Sequence, residues 1–134
     1  MRKQTVWVLV AVLCLAALMG VACGSKAAPK PTVVNVKLTD FKVEMDKTDI
    51  PAGPVQFMIT NSGTITHELV LERAGAVDAP FESNGKGSEA EDIKVGTTST
   101  LEWTIDEPGQ YQLACHVPGH FEAGMVQTFT VSKP

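Results

Sequence analysis

From residue 33 onward the chain breaks into short runs rich in Val, Ile, Phe and Thr, with turn residues between them. No stretch of this part carries the three-to-four-residue apolar repeat of a long helix. A chain without such helices must bury its apolar side chains between sheets. The runs predict strands at 33–38, 42–46, 55–60, 68–72, 98–105, 110–115 and 125–131. Leu101, Trp103 and Ile105 alternate with polar neighbours, as in a strand with one buried face. Pro51-Ala52-Gly53-Pro54, Asn61-Ser62-Gly63 and Glu107-Pro108-Gly109 predict turns. Seven or eight short strands in about 100 residues predict an all-β fold, an antiparallel Greek-key β-sandwich. The stretch 74–92 interrupts the pattern. It is acidic, with Asp78, Glu82, Glu89, Glu91 and Asp92, and reads as a solvated loop with room for a short helix.

The N-terminal region is apolar in a different way. Sixteen of the 17 residues from 6 to 22 are apolar, and they follow Arg2 and Lys3. A basic start, an apolar run and small residues at its end predict an export signal over residues 1–22. Gly20-Val21-Ala22-Cys23 resembles the lipobox of bacterial lipoproteins, except that a large aliphatic residue is usual where Gly20 stands. Cys23 is therefore the expected lipidation site, and residues 23–32, with Pro29 and Pro31, the flexible tether. The domain proper is 33–134. Its expected location is the periplasm or the outer face of the cell membrane, anchored through Cys23.

Charge and cysteine usage narrow the functions. Beyond Arg2 and Lys3, nine basic residues face fifteen acidic ones. Nucleic-acid binding, which draws its affinity from Lys and Arg against phosphate, is excluded. No glycine-rich phosphate loop is present either. Cys14 lies in the export signal and Cys23 at its end, leaving Cys115 alone in the domain. An exported domain with one cysteine has no internal disulfide, so Cys115 needs another explanation.

Its neighbours supply one. Cys115, His120 and Met125 form a Cys-x4-His-x4-Met pattern within eleven residues. Thiolate and thioether are soft donors that favour copper, and imidazole suits both of its oxidation states. Two histidines and a cysteine with a weak axial methionine make a blue-copper electron-transfer site. The second imidazole must come from elsewhere among the three histidines of the chain. His67 follows the Asn61 turn, 48 residues before Cys115, and a sandwich would have to bring it in from another strand. His116 is turned opposite Cys115 by strand alternation, which predicts a surface or supporting role.

These residues resemble the cupredoxins, the blue-copper family. The resemblance covers essentially all of 33–134. It rests on Asn61-x-Gly63-x3-His67, Gly109-x-Tyr111-x3-Cys115 and Cys115-x2-Pro118-Gly119-His120-x4-Met125. The ligand-loop spacing is most similar to that of auracyanin and rusticyanin. The resemblance implies His67, Cys115, His120 and Met125 as the ligands of one copper ion that cycles between Cu(I) and Cu(II). It also implies a tyrosine corner at Tyr111. Two positions depart from the family pattern. Glu68 stands where Asn or Asp often ties the ligand loops together, and Leu113 where an aromatic residue or valine is more frequent.

The expected function is one-electron transfer by a monomer, with membrane-bound or soluble redox proteins as partners. An enzyme is not expected, because multicopper catalysis needs further histidines and the three here are already used or set aside. Copper storage, delivery or sensing is the alternative. The resemblance implies that one ring edge of His120 lies at the surface, and the uncharged residues Pro118, Gly119, Phe121, Ala123 and Gly124 around it predict an apolar docking patch. The acidic 78–92 loop is the competing docking surface.

Overall fold

The computed structural model describes residues 27–134; the predicted export signal and Cys23 lie outside the described residues. The elements in chain order are β1 (Thr32–Thr39), β2 (Lys42–Met45), β3 (Asp49–Pro51), β4 (Gly53–Asn61), β5 (His67–Arg73), β6 (Glu82–Ser83), β7 (Lys86–Gly87), β8 (Glu89–Ile93), β9 (Thr98–Ile105), β10 (Gly109–Ala114) and β11 (Val126–Ser132). Among the described residues no helix is long and apolar enough to cross a membrane.

Two sheets face each other. One has the order β2-β1-β4-β9 and the other β3-β11-β10-β5-β8, while β6 and β7 make a separate hairpin. Alternation decides what lies between them. Val34, Val36 and Leu38 of β1 point inward, as do Val55, Phe57 and Ile59 of β4 and Leu101 and Ile105 of β9. From the second sheet come Leu69, Leu71, Tyr111, Leu113, Phe129 and Val131. Each fully buried side chain of this size contributes about 1.5–3 kcal/mol relative to exposure.

The sandwich is therefore as the sequence predicts, and the seven predicted strands are all present. The pairing is mixed rather than wholly antiparallel. β1 runs parallel to β4, and β3 parallel to β11. The reason is the path of the chain: it leaves the first sheet after β2, adds β3 to the second, and returns as β4 beside β1.

The acidic stretch is more ordered than its composition predicts. Asn84 and Gly85, both at positive φ (52° and 74°), form the two-residue turn between β6 and β7. β8 then pairs with β5, burying Ala90 and Ile93 and leaving Glu91 and Asp92 outside. β3 escaped notice because Pro51 reads as a turn residue; an edge position is where a strand tolerates proline.

At the end of the sandwich remote from the histidines, the Tyr111 hydroxyl donates to the Glu107 carbonyl at 2.7 Å, the tyrosine corner that the resemblance implies. The Arg73 guanidinium lies 4.4 Å from the centre of the Tyr111 ring and also pairs with Glu107.

Candidate metal centre

The register of β5 and β10 builds the site. Ala114 lies opposite Val70 and Leu113 opposite Leu71, which carries Cys115 to the end of β5 where His67 stands. Leu113 faces the core, so Cys115, two residues on, faces inward as well, and both are fully buried. The chain then loops through residues 116–124 and returns as β11. Hydrogen bonds inside the loop fix its course. Cys115 N donates to Met125 O (3.0 Å), Met125 N to His120 O (3.0 Å) and His120 N to Val117 O (2.9 Å). Gly119 and Gly124 take φ of 84° and 94°, which the tight path requires and L side chains rarely adopt.

The result is a triangle of donors. The two histidine Nδ1 atoms are 3.3 Å apart, and Cys115 Sγ lies 3.5 Å from that of His120 and 3.9 Å from that of His67. A single point lies about 2.1 Å from all three atoms, within the ~2.0–2.3 Å range of metal–nitrogen and metal–thiolate bonds. All three residues are buried, His67 and Cys115 completely. Met125 is also fully buried, at the closing end of the same loop. The structure thus brings together the three residues that the chain's own spacing and the resemblance single out, with Met125 held beside them.

Burial shapes the donors' chemistry. It pushes the Cys115 thiol up, and backbone N–H groups of Glu68 and Val117 directed at the sulfur oppose that rise. Burial also lowers His67, keeping its imidazole neutral and its lone pair available; the Asp40 carboxylate opposes this. Asp40 Oδ1 lies 3.4 Å from His67 Nε2. The other histidine, His120, is 5% exposed, and the edge-on ring of Phe41 packs against it at 5.2 Å. The exposed imidazole edge expected from the resemblance is largely covered.

Side chains around the triangle connect its parts. Asn61 is fully buried and satisfied: its amide donates to the carbonyls of Ile65 and Ile93 at 2.8 Å each, and its oxygen accepts from Gly63 N at 2.9 Å. It ties the turn before His67 to the end of β8. Glu68 ties the ligand loops directly, because its carboxylate accepts from His116 N at 3.0 Å. The departure from Asn or Asp at this position thus keeps a bridge between the loops. Between β5 and β8, Glu91 and Asp92 stand opposite Glu68 alone, a bulge immediately beside His67.

His116 points away from the triangle, as strand alternation predicts. Its Nε2 is 2.9 Å from Glu72 Oε1, and its ring stacks on Phe121 at 4.8 Å. Glu72 is fully buried, and it also accepts from Gln112 Nε2 at 2.9 Å and from Ala79 N at 2.8 Å. These contacts dock the 74–80 segment on the outer face of β5 and β10. The sequence reading missed Asp40, Phe41 and Glu72. Nothing in the two-residue turn Asp40-Phe41 marks it as near the histidines, but an acidic residue on a predicted strand beside apolar neighbours could have flagged Glu72.

A family model described as a cupredoxin-like domain matches residues 10–126. The chain belongs to the cupredoxin-like family. It is 32% identical over 107 residues to the copper-resistant cuproprotein CopI of Vibrio cholerae, covering 72% of this chain and 63% of that protein. With CopI of Rubrivivax gelatinosus it shares 30% identity over 79 residues, 54% of this chain and 48% of the relative. The chain thus spans about half to just under two thirds of the length of these relatives. Among solved structures, auracyanin B superposes with a TM-score of 0.63 at 22% identity, covering 78% of this chain and 91% of that one. That likeness in fold agrees with the spacing of the ligand loop.

Proposed function

We propose that this cupredoxin is an exported one-electron carrier that holds a single copper ion on His67, Cys115, His120 and Met125. The observation that carries the reading is the buried triangle of two Nδ1 atoms and one thiol sulfur, already at metal-binding separations. Such a donor set selects copper through its soft thiolate and thioether. When bound, copper supplies a one-electron Cu(II)/Cu(I) couple.

The chain's own part is to keep the donors still. Strand β5 fixes His67, the loop hydrogen bonds fix His120 and Met125, and Glu68 locks one loop to the other. Donors that need not move between oxidation states minimise the reorganisation that accompanies electron transfer. Burial and the N–H groups aimed at Cys115 tune the potential.

Electrons would pass at the end of the sandwich where the ligands lie. Three of its exposed apolar side chains belong to turns at that end: Phe41 at 50% exposure, Ile65 at 43% and Val95 at 50%. They favour a small apolar docking face for redox partners, of the size typical of brief encounters. Phe121, expected in that face from the sequence, is half-buried against His116, so Phe41 is the better aromatic to test. Export, lipidation of Cys23, the monomeric state and the absence of catalysis belong to the same proposal. The chain has three histidines, and His116 is engaged with Glu72, which leaves none for a second copper centre.

A second reading, copper handling without electron transfer, is favoured by the relatives described as copper-resistant cuproproteins. One experiment separates the two. The full chain, purified in detergent, is titrated with Cu(II), and its visible spectrum and voltammetry are recorded. Intense thiolate-to-copper absorption with reversible cycling and no metal loss supports the carrier. A pale spectrum defeats the blue-copper site, and metal release on each reduction supports copper handling.

A further inference from the structure

The turn between β1 and β2 consists of Asp40 and Phe41, and each touches one of the two histidines of the triangle from outside. Phe41 sits at φ 64°, a left-handed conformation that a bulky side chain avoids unless its surroundings enforce it. The neighbours of Asp40 account for the constraint. Its Oδ1 accepts from Thr64 N at 2.9 Å and its Oδ2 from the Thr64 hydroxyl at 2.6 Å. The carboxylate is thereby anchored to the loop that leads into His67.

Gly63 lies between these groups. A Cβ on Gly63 would stand 2.5 Å from Asp40 Oδ1 and 2.9 Å from His67 Nε2. Its φ is not in the left-handed region, so close approach, not backbone freedom, is what calls for glycine here. Among the described residues, His67 Nε2 is the one buried side-chain nitrogen or oxygen with no hydrogen-bond partner. The Asp40 carboxylate oxygen 3.4 Å away is poised to become one.

The tautomer completes the argument. Nδ1 of His67 faces the sulfur and the other imidazole, so a neutral ring that offers Nδ1 to a metal carries its proton on Nε2. A buried N–H without an acceptor is unfavourable, and a small shift of the Asp40 side chain would supply the acceptor. We propose that Asp40 is a positioning residue for the metal centre, accepting the Nε2–H of His67 and setting a negative charge behind that imidazole. This rests on the copper reading above. Carboxylates behind ligating histidines fix ring orientation and raise donor strength, and their loss typically weakens metal binding 10–100-fold. A negative charge there also favours Cu(II) over Cu(I).

The test compares the full chain with Asp40→Ala, Asp40→Asn and Thr64→Val. The last variant removes the hydroxyl anchor while leaving the carboxylate. Two readouts are taken: the midpoint potential with copper bound, and the 15N spectrum of the His67 ring in the metal-free protein under conditions where the ring is neutral. In Asp40→Ala the Cu(II)/Cu(I) equilibrium should tilt about tenfold toward Cu(I), a rise of about 59 mV for a one-electron couple. The metal-free ring should lose its bias toward the Nε2–H tautomer. Asp40→Asn, which keeps an oxygen acceptor without the charge, should retain the bias and show part of the rise. Thr64→Val should change both readouts less than Asp40→Ala does. Unchanged tautomer and potential in Asp40→Ala would overturn the proposal, and so would a Thr64→Val variant that matches Asp40→Ala, since Asp40 would then only brace the loop. Because the ring spectrum needs no metal, a wild-type protein that failed to turn blue would defeat the copper reading and leave this test standing.

Discussion

Two long connections flank strands β5 and β10, and they use the same building material differently. The loop of residues 115–125 closes on itself through backbone hydrogen bonds and presents Cys115, His120 and Met125 inward. The segment of residues 74–88 lies over the outer face of the same strands. It is held by buried side chains beneath it: Glu72, Gln112 and Ser88, whose hydroxyl donates to Leu71 O and accepts from Phe81 N. In the first, unusual residue types converge on one point. In the second, ordinary polar groups are each satisfied in place. The lesson is that buried polarity alone does not mark a metal site; convergence of metal-ligating atoms on one point does. The Glu72 carboxylate is shared among Ala79, Gln112 and His116, whereas the Nδ1 atoms of His67 and His120 and the Cys115 sulfur lie within 3.9 Å of one another.

The comparison breaks most visibly at Cys115. Replacing it with Ser should abolish the intense colour of the copper-loaded protein, because a hydroxyl is a hard and weak donor. Equal absorption in wild type and variant would mean that the 115–125 loop is not the metal site.

Next in size is Glu72→Ala beneath the covering segment. It strands the Ala79 N–H and removes one partner each from the Gln112 amide and the His116 ring. Urea unfolding should show a loss of about 3 kcal/mol, as when one partner of a buried polar network is removed. The colour should persist, since Glu72 faces away from the triangle. A bleached Glu72→Ala protein that is still folded would join the two connections into one functional unit. His116→Ala is the milder version, expected to lower stability by about 1–2 kcal/mol with the spectrum nearly unchanged.

A smaller effect separates the apolar end that carries the ligands from the acidic strand β8 as docking surfaces. Phe41→Asp, beside His120, should slow electron exchange with a soluble redox protein severalfold, while added salt changes the wild-type rate little. A steep fall with salt, reproduced by neutralising Glu89, Glu91 and Asp92, would hand docking to the acidic side.

The smallest expected effect is a pH dependence within that acidic side. Burial, followed by repulsion from Glu91, Glu82, Glu68 and Asp78, pushes the Glu89 carboxyl up. A carboxyl raised in the folded state stabilises the fold at pH below its unfolded value, and that contribution is lost as pH rises through the folded value. Glu89→Gln should therefore raise stability above this range by less than about 0.5 kcal/mol, given its exposure. Denaturant midpoints of the two proteins, measured from pH 4 to pH 7, should draw apart as pH rises. Midpoints that converge would reverse the sign.

What the sequence determined by itself was local or chemical. Alternation in runs such as Val34, Val36 and Leu38 specified strands and their inward faces, because a strand's side chains repeat every two residues. The rarity of Cys, His and Met in this spacing specified a soft metal site, because few other functions need those atoms together. Tertiary structure alone decided the rest. The parallel pairing of β1 with β4 follows from the chain's route between sheets, which no local pattern encodes. The ordered course of 74–88 depends on buried Glu72, Gln112 and Ser88 meeting partners from β5, from β10 and from the segment itself. Asp40 and Phe41 stand 26 or more residues from the histidines in sequence and touch them only because β1 ends beside the loop that follows β4. Contacts of that kind arise from how the sheets pack in space, and a linear pattern carries no record of it.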